Sequence, residues 1–462
     1  MALVPFFIYL HEGWSGMDNL VVIGIILAAI IILLIAGMYI HSILLTSGVV
    51  GLILLEGFDI LPGLLGNEPF NRVASYTLTT IPLFVLMAQF ILQSGLVQDI
   101  FYIVHKASRG KNSLLGVLTL TIGGVLGAVS GSGTATAASL GQVAMPELQK
   151  HGYSPALAGA VAASGGSLSG IIPPSIILIL YGVATETPVG NLFIGAFIPG
   201  ILVMVVYILV MLVYFRAGLK KQNVHKEERT VPEIAATVED VESPSVFKLA
   251  VSSIIAVLIM LIIFGGIYSG VFTPTEAGAV GAFVGLVAAA VLGRINLAFF
   301  RNSLFETIKL TGMVMLIMIG AQIFGRFVSL SLLPRTLIGF LEPIMDSPVL
   351  VLIAISTVLF VMFMFIEGAA VILMSIPVIF PIIQEIQIDV LWFGVFISVI
   401  CTIGLITPPV GLSVYAVAGV SGVRSESIFR IAFIFAAIAM LIVCGLLIAF
   451  PELATWLPAS AG

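Results

Sequence analysis

Two short stretches carry most of the oxygen chemistry of an otherwise apolar chain. The first, Ser130 to Ser175, opens Ser-Gly-Ser-Gly-Thr-Ala-Thr and closes Gly-Gly-Ser-Leu-Ser-Gly-Ile-Ile-Pro-Pro-Ser. The second, Glu367 to Val410, opens Glu-Gly-Ala-Ala and closes Thr-Ile-Gly-Leu-Ile-Thr-Pro-Pro-Val. Proline lacks an N–H and clashes with the carbonyl four residues back. Pro173-Pro174 is therefore expected to free the carbonyls of Ser169 and Gly170, and Pro408-Pro409 those of Gly404 and Leu405. Ile172 and Thr407, each preceding a proline, are pushed out of helical geometry. With the hydroxyls of Ser167, Ser169, Thr402 and Thr407, these carbonyls form a set of hard oxygen ligands, which suits a small hard cation.

Opposite each break a hairpin tip is expected, at Ser130-Gly131-Ser132-Gly133-Thr134 and at Glu367-Gly368-Ala369-Ala370. A helix starting at such a tip offers free N–H groups and a positive dipole end, and Ser or Thr there acts as a cap. Discontinuous membrane helices present helix starts to anions and unwound carbonyls to cations, at the interface of inverted repeats. Co-transport of an anion with sodium ions fits that combination. Glu367, the lone acid of its apolar segment, fits either capping of the second hairpin or direct ion binding. Arg326, the lone intramembrane arginine, fits a bidentate clamp on a carboxylate or sulfonate, a snorkelling side chain, or an ion pair.

The elements that must position these residues are written twice. Placing the segment at Pro381 beneath that at Pro146 aligns Gln384 with Gln149, Gly394 with Gly159, Thr402 with Ser167 and Pro408-Pro409 with Pro173-Pro174, at a constant offset (381 − 146 = 408 − 173 = 235). Upstream, Gly368 falls under Gly133 and Glu367 under Ser132. One run of small residues in a membrane helix is commonly a packing face. Two of them, both proline-broken and in one register, indicate an internal duplication.

The 462 residues are 60% hydrophobic and 9% charged, with mean hydropathy +1.23, a composition that cannot cover a soluble surface and marks an all-α polytopic membrane protein. Apolar spans are expected at about 20–36, 39–65, 73–104, 113–148, 155–184, 190–215, 249–270, 277–293, 304–330, 348–386, 390–418 and 431–450. Residues 1–19 form an N-terminal periplasmic or interfacial segment, with Phe6–Trp14 a candidate surface helix and no secretory-signal pattern. Residues 20–215 form repeat 1, with a re-entrant hairpin at about 113–150 and a broken helix at about 155–184. A connecting loop at 216–248 precedes repeat 2 at 249–450, with its hairpin at about 348–386 and broken helix at about 390–418, and a tail at 451–462.

Charge placement favours hairpins that enter and leave on one side. With the connecting loop in the cytoplasm, each half then has five crossings and the halves are inverted. Fifteen of the eighteen basic residues become cytoplasmic, among them Lys106, Arg109, Lys111, Lys150, Arg294, Arg301, Lys309, Arg424 and Arg430; Arg72 and Arg335 lie outside and Arg326 within a span. Such a bias is the positive-inside pattern.

Soluble-type chemistry finds no support. Cys401 and Cys444 sit in apolar runs and give no disulfide framework, and the five histidines show no metal-ligand spacing. No G-x-x-x-x-G-K-[ST] phosphate loop is present. Ser132 in Gly-Ser-Gly has no membrane-embedded histidine to activate it, so an enzyme is not expected. Nothing points to a bound cofactor other than coupling ions, or to nucleic acid.

At Gly131–Gly141 (GSGTATAASLG), Gly165–Ser175 (GGSLSGIIPPS), Trp392–Gly411 (WFGVFISVICTIGLITPPVG) and Pro451–Pro458 (PELATWLP) the chain resembles the large membrane subunit of tripartite ATP-independent periplasmic (TRAP) transporters, within the ion-transporter superfamily. The resemblance covers essentially the whole chain. It implies two inverted repeats, a scaffold and a mobile transport part that moves like an elevator under a sodium gradient. It further implies a bacterial inner-membrane location, a small four-helix membrane partner on a separate polypeptide, and a periplasmic binding protein that delivers an organic anion. Carried over by motif, Ser130, Ser132, Thr134, Ser169, Gly170 and Pro173 are expected at a first ion site, and Glu367, Gly368, Thr402, Gly404, Thr407 and Pro408 at a second. The substrate is expected between the hairpin tips, with Ser132, Ser167, Ser175, Arg326 and Glu367 as its candidate ligands. A stand-alone sodium/dicarboxylate symporter of the same superfamily, or a channel, are the rival readings.

Overall fold

In the computed structural model the chain is described over residues 19–96, 99–100, 102–103, 112–222 and 246–461, and every regular element among them is helical. The candidate surface helix Phe6–Trp14, the basic residues Lys106, Arg109 and Lys111, and residues 223–245 of the connecting loop lie outside the described residues. In chain order the helices are α1 (Asn19–Ile35), α2 (Ile40–Glu56), α3 (Leu61–Val73), α4 (Thr80–Gln93), α5 (Asn112–Ser130), α6 (Gly133–Lys150), α7 (Pro155–Ser167), α8 (Ile176–Thr185) and α9 (Val189–Gln222). They continue with α10 (Val246–Met260), α11 (Pro274–Val291), α12 (Leu297–Leu330), α13 (Leu333–Leu341), α14 (Pro348–Phe365), α15 (Gly368–Glu385), α16 (Val390–Gly404), α17 (Leu412–Ser421), α18 (Ser425–Ala439) and α19 (Glu452–Ala461). Eight helical stretches among the described residues are long and apolar enough to cross a membrane.

The duplication is visible in the helix boundaries. Adding 235 to the end of α5, the start and end of α6 and the start of α7 gives 365, 368, 385 and 390, which are the corresponding boundaries of α14, α15 and α16. Even the caps repeat: the Ser154 hydroxyl accepts the Leu157 N–H at 3.3 Å, and 235 residues on the Asp389 carboxylate accepts the Trp392 N–H at 2.7 Å. A short oxygen side chain before the first turn satisfies one of the orphan donors there.

The two broken helices run antiparallel. Near the breaks, a Cβ built on Gly170 would lie 2.7 Å from the Thr402 hydroxyl. Eleven residues further along repeat 1, the Tyr181 hydroxyl donates to the carbonyl of Val390 at 2.7 Å, at the start of α16. Ascending numbers in one repeat thus meet descending numbers in the other, so the repeats are inverted. These segments are also the most enclosed. Leu157–Ser167 and Trp392–Gly404, the helical arms that lead into the breaks, are buried at every position. The outer helices instead expose Ile31, Ile32, Ile254, Val257, Phe305 and Ile308.

Two long expected spans divide in the structure. Residues 39–65 break at Gly57, whose φ of 80° is open chiefly to glycine and whose N–H caps the Ile53 carbonyl. Residues 73–104 yield α4, which ends at a turn through Ser94 and Gly95, where Gly95 has φ 75°. Unbroken hydrophobicity hid both turns. Outside the repeated cores, α2 crosses α12 closely: a Cβ on Gly48 would fall 2.7 Å from the Phe324 nitrogen, and one on Gly320 would fall 2.8 Å from the His41 carbonyl oxygen. Without a hydrophobic drive between helices in lipid, such small-residue contacts hold them together.

Candidate functional site

The two hairpin tips are built differently. In the first, α5 stops at Ser130, Gly131 turns the chain at φ 60°, and Ser132, in extended geometry, starts α6 by accepting the Ala135 N–H at 3.4 Å. Its hydroxyl lies 3.3 Å from that of Thr134. In the second tip the turn needs no glycine at positive φ. Ile366 and Glu367 are both extended, and α15 begins at Gly368. The Glu367 carboxylate reaches toward the Ala369 and Ala370 amides without a capping hydrogen bond of regular geometry. There the dipole of α15 favours a negative charge.

The breaks lie against these tips. After α7 the chain makes a 3-10 turn over Leu168–Gly170 and unwinds to Ser175; after α16 it unwinds from Leu405 to Gly411. Pro173-Pro174 and Pro408-Pro409 are both cis. Tip 1 touches both breaks, since a Cβ on Gly133 would lie 3.2 Å from the Ser169 hydroxyl and 3.2 Å from the Leu405 side chain. Tip 2 sits on the Cys401 sulfur, 2.6 Å from a Cβ placed on Gly368, and near Ile177 just after the first break. Glycine at 368 lets the tip come this close, since any Cβ there would force the Cys401 sulfur to shift, whereas the contact at 133 is tight without being closed to a methyl group. The Val410 N–H also donates to the Met364 carbonyl at 3.3 Å, tying the second break to α14.

Three of the four carbonyls expected to be freed have found donors. The Ser175 hydroxyl donates to Gly170 at 2.8 Å, the Thr407 N–H to Gly404 at 3.0 Å, and the Ser413 N–H to Leu405 at 3.0 Å. Buried backbone oxygens seek a donor wherever the loop can bend to supply one. Each carbonyl has two lone pairs, so one bond leaves capacity for an ion.

The hydroxyls sort the chemistry further. Ser167 donates to Ser164 O at 3.0 Å, Thr402 to Ser398 O at 2.8 Å and Thr407 to Ile403 O at 2.8 Å; Ser175 is committed to Gly170. A hydroxyl whose proton is spent on backbone still offers lone pairs to a cation but has no proton left for an anion. Ser167 and Ser175 are therefore left with lone pairs and no free proton, which suits a cation better than the carboxylate expected beside them. Ser132, Thr134, Ser169, Gly170, Pro173, Glu367, Gly368, Thr402, Gly404, Thr407 and Pro408 lie on the tips and breaks that converge here; of Ser130 only the backbone end of α5 is described.

Arg326 does not lie with them. It projects from α12 into a separate cavity of 340 Å³ against α15, together with Gln322, Ser329 and Pro377. The sequence signal for that cavity was a polar stripe at 322, 326 and 329 on one helix face. The buried hydroxyls of Ser164 and Ser413, which have no hydrogen-bond partner among the described residues, were also missed, because a lone serine in a membrane helix reads as packing.

Over residues 27–453 the chain matches the family described as tripartite ATP-independent periplasmic transporter, DctM component. The chain belongs to that family. Among its relatives, the C4-dicarboxylate TRAP transporter large permease protein of Pseudomonas aeruginosa is 33% identical, over 84% of this chain and 86% of that one. The isethionate TRAP transporter permease protein DctMQ of Oleidesulfovibrio alaskensis is 29% identical over 89% of this chain and 66% of its own length. Among solved structures, the YdaH transporter of Alcanivorax borkumensis superposes with a TM-score of 0.65 at 13% identity, over 89% of this chain and 97% of that chain, a likeness of fold. The chain is thus a TRAP-type large permease, a multi-pass membrane protein, and its relatives are transporters and not enzymes.

Proposed function

We propose that this TRAP permease imports an organic anion, a carboxylate or sulfonate, in symport with sodium ions across the bacterial inner membrane. It has no catalytic role of its own. The observation that carries the reading is the meeting of two hairpin tips with two proline-broken helices of inverted repeats; helix starts of this kind suit an anion, and backbone and hydroxyl oxygens beside them suit cations. Hydroxyls that have given their protons to backbone fit sodium as cargo. Ser132, Thr134, Ser169 and Gly170 would hold one ion, and Glu367, Thr402, Gly404 and Thr407 another. The α6 and α15 starts, with Ser132 and Glu367 at their caps, would receive the substrate between them.

The word tripartite in the family description supports two further components, a small membrane subunit and a periplasmic binding protein that delivers the anion. The named substrates of the relatives, a C4-dicarboxylate and isethionate, support the carboxylate-or-sulfonate class. Movement of the tips and breaks as one body past α2, α4, α11 and α12 would give alternating access in the manner of an elevator.

Uptake into proteoliposomes holding the permease and its small subunit tests this. Accumulation is expected only with an inward sodium gradient and added binding protein. Full-rate uptake without binding protein would make the chain a stand-alone symporter, and flux beyond carrier rates a channel.

A further inference from the structure

The cavity beside Arg326 lies along the flank of the second hairpin, away from its tip. Its wall on α15 runs from Leu373 to Pro381, five to thirteen residues beyond Gly368, or about 7 to 20 Å from the tip at 1.5 Å per residue. The opposite wall is α12, which presents Gln322, Arg326 and Ser329 at i, i+4 and i+7, the spacing of one helix face. Gly325, between them, lets α12 approach α15, since a Cβ there would lie 3.2 Å from Pro377.

Among the described residues the Arg326 guanidinium has no ion-pair or hydrogen-bond partner. That is costly for a charge within a membrane span. Pro377 and Pro381 inside α15 remove the helical donors of the Leu373 and Pro377 carbonyls, and both residues line the cavity. The space therefore offers a fork of N–H donors, an amide, a hydroxyl and backbone acceptors. Snorkelling is the plain alternative, because Arg326 stands four residues, about 6 Å, from the end of α12. It does not account for Gln322, one turn deeper on the same face, or for the proline-opened acceptors opposite.

We propose that this cavity is a second anion site, a vestibule in which Arg326 binds the carboxylate or sulfonate of a free organic anion before it reaches the hairpin tips. Arg301 and Lys309 in the first half of α12 set that end in the cytoplasm by the positive-inside pattern, so the vestibule opens on the outward side, where a binding protein would release its ligand. The inference rests on the proposed import of an organic anion. The Gln322 amide would donate to a second acid group or a carbonyl of the anion, the opened carbonyls would accept from a hydroxyl such as that of isethionate, and a ligand without an anionic group would not be held.

The test is equilibrium protection of an introduced thiol. Ser329→Cys is made in the full chain with Cys401→Ala and Cys444→Ala, held in phosphatidylcholine nanodiscs, and labelled with a neutral methanethiosulfonate in choline buffer at constant ionic strength. For a Kd of ~1 mM, about 10 mM succinate slows labelling roughly tenfold. Isethionate does the same, Arg326→Gln abolishes the protection, and Arg326→Lys retains part of it. Unhindered labelling of the Arg326→Gln protein without succinate shows that it is folded and accessible. Three results would overturn the proposal: no protection by either anion, protection that appears only when sodium is present, which assigns binding to the tips, or Arg326-dependent protection produced by phosphatidylglycerol and not by succinate, which makes the cavity a headgroup site. Because no transport is measured, protection without sodium-driven uptake would remove the proposed function and leave the vestibule, and uptake without protection the reverse.

Discussion

The two hairpins share a register and differ in how they are held. In repeat 1 the second arm, α6, packs along its own broken helix α7: a Cβ on Gly166 would fall 2.5 Å from the Ala137 backbone nitrogen. In repeat 2 the residue at the same register is Cys401, which bears a side chain, and α15 barely meets α16. It packs on α8 of the other repeat and on α12. Reciprocally α6 packs on α17, where a Cβ on Gly141 would meet Val417 and Val420. Each hairpin is thus clasped by the opposite repeat, but they differ in which arm mainly meets their own broken helix: the second arm α6 in repeat 1, the first arm α14 in repeat 2. The chemistry divides in parallel. Tip 1 uses neutral hydroxyls and a glycine turn, whereas tip 2 places a carboxylate where tip 1 has Ser132. An inverted duplication supplies two similar shells, and substitutions at matched positions give one a glycine-packed arm with a hydroxyl cap and the other a side-chain-bearing contact with a carboxylate at the cap.

The largest effect that would break this comparison is at Gly166. Gly166→Val drives two methyl groups into the α6 backbone and should cost about 3 kcal/mol or more, seen as loss of monodisperse protein in size-exclusion chromatography. Cys401→Ala, at the matched position, should cost only about 1 kcal/mol; equal losses would mean that both hairpins are fastened alike.

Next comes the charge at the tips. Glu367→Gln is expected to lower sodium-driven uptake about 10- to 100-fold, as removal of a charged group from a buried site does, and Ser132→Ala only about 3- to 10-fold. A larger loss at Ser132 would reverse the assignment of charge-based binding to the second tip. Thr407→Val keeps the shape and removes the oxygen, so the sodium concentration for half-maximal uptake should rise about fivefold, corresponding to one neutral ligand. An unchanged sodium dependence would remove Thr407 from the ion site. The smallest effects are expected at the matched caps: Ser154→Ala and Asp389→Ala should each cost about 0.5 to 1 kcal/mol in thermal unfolding. The shorter bond at Asp389 should make its loss the greater.

Much of the fold was legible because its signals are local and repeated. Pro173-Pro174 and Pro408-Pro409 break helices wherever they sit, Gly131 and Ser132 turn and cap one, and a register of 235 residues cannot be kept by accident across two such breaks. The tip and break residues could be named for the same reason. What escaped was set by partners distant in sequence. Which carbonyls stay open at the breaks depends on whether Ser175, Thr407 and Ser413 bend back to meet them. The turns at Gly57 and Gly95 were hidden in continuous hydrophobicity.

By itself the sequence determined that this chain is an all-helical membrane protein made of two proline-broken repeats with oxygen-rich tips, since backbone satisfaction in lipid allows little else. Only the tertiary structure decided that Ser167, Thr402 and Thr407 give their hydroxyl protons to backbone, and that Arg326 stands in a cavity of its own. Those facts rest on which helix lies against which, and a packing contact between segments two hundred residues apart leaves no periodicity to read.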